Sequence, residues 1–392
     1  MRILIYSHAF APKIGGVETY VMLLACGLTQ NRSRTLGADV DVTLVTRTPK
    51  DKMNDAGLPF RIVRRPGLLE LLRLIQGADV IQLAGPVILP MLLGLLLRKP
   101  VVVEHHGYQA VCPNGLLFYE PLRTVCPGHF MAGRHNKCLE CNAADGKLLS
   151  LKMWLLTFAR RWLCLHVRAN TPITFHLQRR IALPRSAVIY YGIEVSKTRQ
   201  RDTAHQDGPN GSVCFGYVGR LVREKGASLL ADAAARLRAR GYQFRLKFIG
   251  DGPERAGIEA RVRSAGLSDR TVFTGFLGGE ELEQALQEVA AVVMPSVWEE
   301  TAGLAAIEQM MKGRLVIVSD IGGLGEVVDD AGMKFAVGDV VALEECLQQV
   351  IERPALTCEI GVRARARALK LFRQDEMVNN HLRVYGGLGG ES

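Results

Sequence analysis

Two glutamates eight residues apart, Glu300 and Glu308, bracket a small and apolar stretch, Thr301-Ala-Gly-Leu-Ala-Ala-Ile307. Carboxylates in such company are rarely mere surface decoration. The spacing is about two helical turns, so both fall near one face if a helix begins early. If Glu300 sits in a loop and Glu308 a turn or two inside the helix, one reaches a sugar and the other a ribose. Glu299 reads as solvated. Upstream, Gly219-Arg-Leu-Val-Arg-Glu-Lys-Gly226 sets Arg220 and Lys225 between a strand and a helix. Two fixed cations there suit a diphosphate leaving group, whose developing charge they stabilise. The alternative is a pair of solvent-facing basic side chains. Two glycine turns feed helices, at Gly15-Gly16 and at Gly322-Gly323. A helix N-terminus offers free N–H groups to an anion, although a glycine turn needs no ligand. The dinucleotide fingerprint G-x-G-x-x-G is absent from both halves, which makes a nicotinamide oxidoreductase the least favoured enzyme class.

A second group of reactive side chains is Cys112, Cys126, Cys138 and Cys141, the last two spaced C-x2-C. Four thiolates could close a tetrahedral structural zinc site, with His129 and His135 in reserve. Equally, free cysteines serve as small buried hydrophobes. The total of nine cysteines, with no secretion signal, argues against a disulfide framework. Cys26, Cys164, Cys214, Cys346 and Cys358 read as core.

These groups need a scaffold. Short β-rich runs at 2–6, 40–45, 80–83 and 101–104 alternate with helical stretches such as 17–28. The rhythm restarts at 213–218 and continues through 244–249, 272–274, 291–294 and 315–319. Apolar runs of this kind suit strands covered on both faces, and the βαβα order predicts a parallel sheet. The expected fold class is α/β, two doubly wound parallel-sheet domains in tandem, facing a central cleft where such sheets bind ligands. The first domain is expected at 1–198, with the cysteine-rich loop at 112–141. A linker rich in Asp, Gln, Gly, Asn and Arg spans 199–212. The second domain covers 213–370, and a helix in 371–392 packs back onto the first. The run 152–168 mixes Trp154, Phe158 and Trp162 with Arg160 and Arg161; it reads as a domain helix with a core face in preference to a membrane-surface helix.

Charge divides the halves. Through Val195 there are 24 Lys+Arg against 12 Asp+Glu, and from Ser196 onward 25 against 27, so the whole excess of +10 lies in the first half. A one-sided basic domain faces anionic lipid, an anionic acceptor or nucleic acid, or is simply a solvated Arg-rich face. No nucleic-acid-binding motif accompanies it, so no nucleic acid is expected. The greasiest stretch, 87–97, is broken by Pro90 and Gly94 and is too short to span a bilayer about 30 Å thick. The expected location is cytoplasmic, with peripheral association at the inner face of the membrane.

The run from Gly219 to Lys225, the pair Glu300-x7-Glu308 and the turn Gly322-Gly323-x-x-Glu326 resemble the retaining glycosyltransferases of family 4 (glycosyl transferases group 1). That family has the GT-B architecture of two Rossmann-like domains. Gly15-Gly16-x-Glu18 and Val103-Glu-His-His106 fall in the same order, so the resemblance covers nearly the whole chain. It implies a hexosyltransferase with a nucleoside-diphosphate sugar donor (UDP- or GDP-sugar), the first domain serving the acceptor and the second the donor. By resemblance, Arg220 and Lys225 bind the diphosphate, Glu300 the donor hexose and Glu308 the ribose hydroxyls. Gly16, with Gly15, brings backbone N–H to the distal phosphate, and His106 lies near the reacting sugar. The backbone around Phe276-Leu277 meets the base, while Thr301, Ala302, Gly303 and Leu304 line the donor. Catalysis then falls to His106, Glu300, Arg220 and Lys225, without a glycosidase-type covalent carboxylate. In a front-face displacement the leaving phosphate accepts the acceptor's proton, and the two cations make a divalent ion unnecessary. The implied acceptor is a glycan, a lipid-linked glycan or a small molecule, as in cell-surface polysaccharide or glycoconjugate synthesis. Two positions depart from the family: Thr301-Ala302-Gly303 stands where Gly-Phe-Gly is common, and Tyr191 where Asn is usual.

Two other readings compete. A sugar-nucleotide epimerase of the same fold would release altered sugar without an acceptor, and the paired glutamates disfavour it. A non-enzymatic basic protein binding sugar nucleotides or nucleic acid would show strongly salt-dependent binding.

Overall fold

The computed structural model describes residues 1–13, 15–30, 40–50, 55–197 and 212–387, without the side chain of Asp145. The expected linker at 199–212 lies outside the described residues apart from Ser212. The chain forms two compact units, Met1–Glu194 with Leu371–Ser392, and Val195–Lys370.

The first unit runs β1 (Arg2–Ser7), α1 (Gly16–Gln30), β2 (Asp41–Thr46), β3 (Arg61–Arg64), α2 (Leu68–Gly77), β4 (Val80–Ala84), α3 (Ile88–Leu96) and β5 (Val101–His105). There follow a short antiparallel pair, β6 (Phe118–Tyr119) and β7 (Thr124–Val125), then α4 (His135–Cys141), α5 (Lys147–Cys164), β8 (Ala169–Pro172) and α6 (Phe175–Ile181). The sheet order is β3-β2-β1-β4-β5-β8, all parallel. Ile3, Leu4 and Ile5 of the central strand are buried, as a strand covered on both faces requires.

The second unit repeats the plan with β9 (Cys214–Val218), α7 (Ala227–Ala239), β10 (Arg245–Ile249), α8 (Arg255–Ser264), β11 (Thr271–Gly275), α9 (Gly279–Gln287) and β12 (Ala291–Met294). It continues through α10 (Leu304–Met311), β13 (Leu315–Ser319), α11 (Gly322–Val328), β14 (Met333–Phe335), α12 (Val340–Glu352) and α13 (Leu356–Leu371). The strand order is β11-β10-β9-β12-β13-β14, again parallel. Phe215, Tyr217, Leu230, Leu237 and Phe248 anchor its core. The chain then re-enters the first unit as α14 (Gln374–Gly386), which packs on α1.

In both sheets the chain starts in the middle, winds out to one edge, and returns to the far side of its first strand. The order reverses between β1 and β4, and between β9 and β12. The loops leaving the carboxyl ends of such neighbouring strands diverge, which opens a crevice for ligands. The edge strands β3, β8 and β14 escape hydropathy. Arg-Ile-Val-Arg, Ala-Asn-Thr-Pro and Met-Lys-Phe are short and partly polar, because an edge strand pairs on one side only.

Candidate functional site

In the second unit, Lys225 and Glu300 come from opposite sides of the β9/β12 reversal. Lys225 ends the single turn Arg223–Lys225 after β9, and Glu300 lies in the loop after β12. Lys225 Nζ is 2.9 Å from Glu300 Oε1, and Ser296 Oγ donates to the same oxygen. The carboxylate side chain is 5% exposed and the lysine 24%, so the cation can be reached from solvent while its counter-charge is sunk. The ammonium also lies 5.7 Å from the centre of the Trp298 ring, a cation–π contact.

Backbone contacts fix this pairing. Val297 N donates to Glu224 O at 3.0 Å, tying the two loops together. Gly323 N donates to Glu300 O at 2.6 Å. A Cβ on Gly323 would lie 2.0 Å from Thr301 O, so only glycine lets the start of α11 press against the Glu300 loop. Gly226, at φ 64°, does the same on the other side: a Cβ there would lie 2.0 Å from Pro295 O.

Glu308 stands on α10, five residues after Gly303, the residue that caps the helix in the left-handed conformation at φ 83°. Glu300 is therefore in the loop and Glu308 a turn inside the helix. Burial raises the Glu308 pKa above the usual carboxylate range, partly offset by Lys312. Arg220 is 75% exposed and only 3.9 Å from Glu224 Oε1, a loose pair. Phe276 follows β11 with its ring exposed, and Leu277 beside it is half-buried. Thr301 and Leu304 are half-buried and Ala302 is buried. Glu299 is half-buried, not solvated as expected.

In the first unit, Gly16 opens α1, and among the described residues nothing lies within 4 Å of where its Cβ would be. A Cβ on Gly15 would meet the Glu18 carboxylate, which folds back over the turn. His106 follows β5. Its ring is 5% exposed, lies 3.0 Å through Nδ1 from the Tyr191 hydroxyl, and stacks on that ring at an interplanar angle of 16°. Below it sits a polar cluster that the residue pattern had not revealed. Glu104 is fully buried; Gln82 Nε2 donates to its Oε2 at 3.1 Å, and Tyr385 Oη donates to Gln82 Oε1 at 3.1 Å. Tyr20 Oη lies 2.6 Å from His381 Nε2, and His381 Nε2 lies 3.9 Å from Glu104 Oε1. Burial pushes the Glu104 pKa well up. It lowers those of His106 and His381 to about 3, the neighbouring His105 and His381 adding to the shift at His106. At neutral pH these imidazoles are uncharged. His105, expected to be structural, is fully buried and donates through Nε2 to Asn170 Oδ1 at 2.9 Å.

The loop cysteines share one neighbourhood. Cys112 Sγ donates to Asn114 Oδ1 at 2.9 Å, while Asn114 Nδ2 donates to Cys141 Sγ at 3.6 Å. Burial, and then Cys112, Cys126 and Cys141, push the Cys138 thiol up to about 12. The nine cysteines form no disulfide with one another. Among the described residues no group of three or more His, Cys, Asp or Glu is set to hold a metal ion. Of the five cysteines read as core, Cys164, Cys214 and Cys346 are buried, whereas Cys26 and Cys358 are only half-buried.

Two doubly wound parallel sheets, the second with a cation and a buried carboxylate meeting at its reversal, define the class of α/β protein. Residues 199–367 match the family model of glycosyl transferases group 1. The 2-deoxystreptamine glucosyltransferase of Streptomyces kanamyceticus is 37% identical over 190 residues, 48% of this chain. The chain spans about half the length of that relative, 47%. Two solved structures share the fold along essentially the full length. A sucrose-phosphate synthase from Thermosynechococcus elongatus superposes with a TM-score of 0.71 at 22% identity, covering 99% of this chain and 98% of its own. Anabaena HepE in complex with UDP-glucose gives 0.70 at 17%, covering 99% and 100%.

Proposed function

We propose that the protein is a retaining glycosyltransferase, transferring a hexose-type sugar from a nucleoside-diphosphate sugar to a glycan, a lipid-linked glycan or a small molecule. One observation carries the reading: at the β9/β12 reversal a reachable lysine is held 2.9 Å from a buried glutamate, with a second glutamate on the helix that follows. A fixed, partly desolvated ammonium stabilises the charge that develops on a leaving diphosphate at little reorganisation cost. Arg220, exposed and loosely paired, would add a second cation when the phosphates arrive. Glu300 would orient Lys225 and hydrogen-bond the donor hexose, and Glu308 would accept from the ribose hydroxyls. The exposed Phe276 ring offers a face on which a base can stack.

The bond between the anomeric carbon and the diphosphate oxygen breaks while the acceptor oxygen bonds to the same face of the sugar. The acceptor's proton passes to the departing phosphate oxygen. His106, carried over from the resemblance, would act as a neutral hydrogen-bonding ring, since burial holds its pKa down at about 3. A structural zinc at Cys112, Cys126, Cys138 and Cys141 would require these thiols, which as placed form no ready metal site, to close around the ion; metal analysis of protein purified without chelator is the test. The reading also includes peripheral association with an anionic membrane through the basic first half; among the described residues no helix is long and apolar enough to cross one.

The deciding experiment is a thermal-shift panel of UDP, GDP and their sugars, because a ligand that binds only the folded chain raises its melting temperature. Donor turnover follows in Lys225→Ala and Glu308→Ala. Unchanged turnover in both variants removes the assignment.

A further inference from the structure

The helix expected to bury its apolar side does the reverse. On α5 the buried positions are Ser150, Thr157, Leu163 and Cys164. Leu148, Leu151, Leu155, Phe158, Trp162 and Leu165 are instead exposed, Leu148 at 82% and Trp162 at 58%. Their spacing of three and four residues lays them in one stripe along the helix. Helix α3 packs beside α5 and continues the surface with exposed Leu89, Leu92 and Leu96, and it carries no charged residue. A contiguous apolar surface of this kind marks an interaction site.

Charge selects the occupant. Residues 146–193 contain eight Lys+Arg and no Asp or Glu. Lys147 and Lys152 are exposed on α5, next to the stripe. A second copy seated on the same stripe would bring lysines against lysines; neither α5 nor α3 carries an acid to pair them, and Glu140 on the adjoining α4 already pairs with Lys137. An anionic lipid surface satisfies both properties at once. Apolar side chains enter the boundary between headgroups and acyl chains, and lysines extend toward the phosphates.

We infer that the α5–α3 face of the first unit is a docking surface for an anionic bilayer, α5 lying in the plane of the interface with Trp162 in the headgroup layer. The inference deepens the peripheral association proposed above and rests on it. It would place the protein where a lipid-linked acceptor is held.

Flotation of the full chain with phosphatidylcholine–phosphatidylglycerol vesicles, against phosphatidylcholine alone, tests it. The parent should float with the anionic vesicles, release as salt rises, and show a blue shift in tryptophan emission. Leu151→Ser/Leu155→Ser/Trp162→Ser, changes at exposed positions checked by an unaltered melting temperature, should bind roughly tenfold or more weakly. Lys147→Glu/Lys152→Glu should lose the preference for anionic lipid. Failure of the parent to float, equal flotation of the triple variant, or a lipid-free dimer that the triple variant dissolves would each overturn the inference. The nucleotide-induced melting shift is measured alongside. It reports on the second unit, so a failure of the donor reading stays distinct from a failure of docking.

Discussion

Replacing Lys225 by methionine keeps the aliphatic stem over Trp298 and removes the ammonium that pairs with Glu300. A charge-assisted hydrogen bond contributes about 1.5–3 kcal/mol, and breaking a fully buried ion pair costs about 3–5 kcal/mol. Lys225 is 24% exposed, so solvent screens part of the interaction, and about 2 kcal/mol is the expected loss. For a unit of this size that corresponds to a fall of roughly 4–8 °C in melting temperature. Lys225→Met/Glu300→Gln should cost less than the sum of its parts, with a coupling of about 1–2 kcal/mol, because neither charge is then stranded. If Lys225 also neutralises a leaving diphosphate, kcat should fall by roughly 10²–10³-fold. Calorimetry of the four proteins and initial-rate kinetics of the parent and single variants provide the data. A parent-like melting temperature in Lys225→Met, or strict additivity in the cycle, would refute the idea that this pair holds the loop.

Glu308 has a raised pKa, so the folded chain binds its proton more tightly than the unfolded chain does. The stability this adds is full below the unfolded value and is lost as pH rises through the folded value. Glu308→Gln should therefore be at least as stable as the parent at neutral pH, with the difference closing in acid; denaturant titrations across that range read it, and a parent-like nucleotide-induced melting shift would exclude Glu308 from ribose binding. The same sign applies to Glu104: Glu104→Gln should hold or gain stability at neutral pH, whereas Glu104→Ala takes the acceptor from Gln82 Nε2 in a buried site and should cost about 1–3 kcal/mol in urea unfolding. Gly323→Ala must move the Glu300–Thr301 backbone aside; it should lose about 1–3 kcal/mol and weaken nucleotide binding by calorimetry, and full retention of both would show that the contact yields freely.

What could be read in advance was what repeats or what is spaced. Runs such as Leu315-Val-Ile-Val are covered on both faces and announce themselves by composition alone. The Glu300–Glu308 spacing likewise singled out the loop and helix that carry these two acids, since carboxylates in an apolar stretch are hard to place otherwise. The direct Lys225–Glu300 pairing was not legible, because it depends on two loops 75 positions apart being drawn together by glycine contacts at Gly226 and Gly323. Nor was the cluster beneath His106, whose members Tyr20, Gln82, Glu104, His381 and Tyr385 come from four elements and show no local pattern. Helix α5 misled for a different reason. Amphipathicity reports that two faces differ, not which one is covered, and here the apolar side looks outward.

Helix α14 has a consequence in time. The residues that finish the polar cluster of the first unit, His381 and Tyr385, are added by the ribosome only after all of Val195–Lys370. On a chain made from its N-terminus, the second unit holds its complete sequence while Glu104 still lacks two of its neighbours. The second unit is thus complete in sequence before the first, which waits for α14 to close over a carboxyl group that has no place in water-free surroundings on its own.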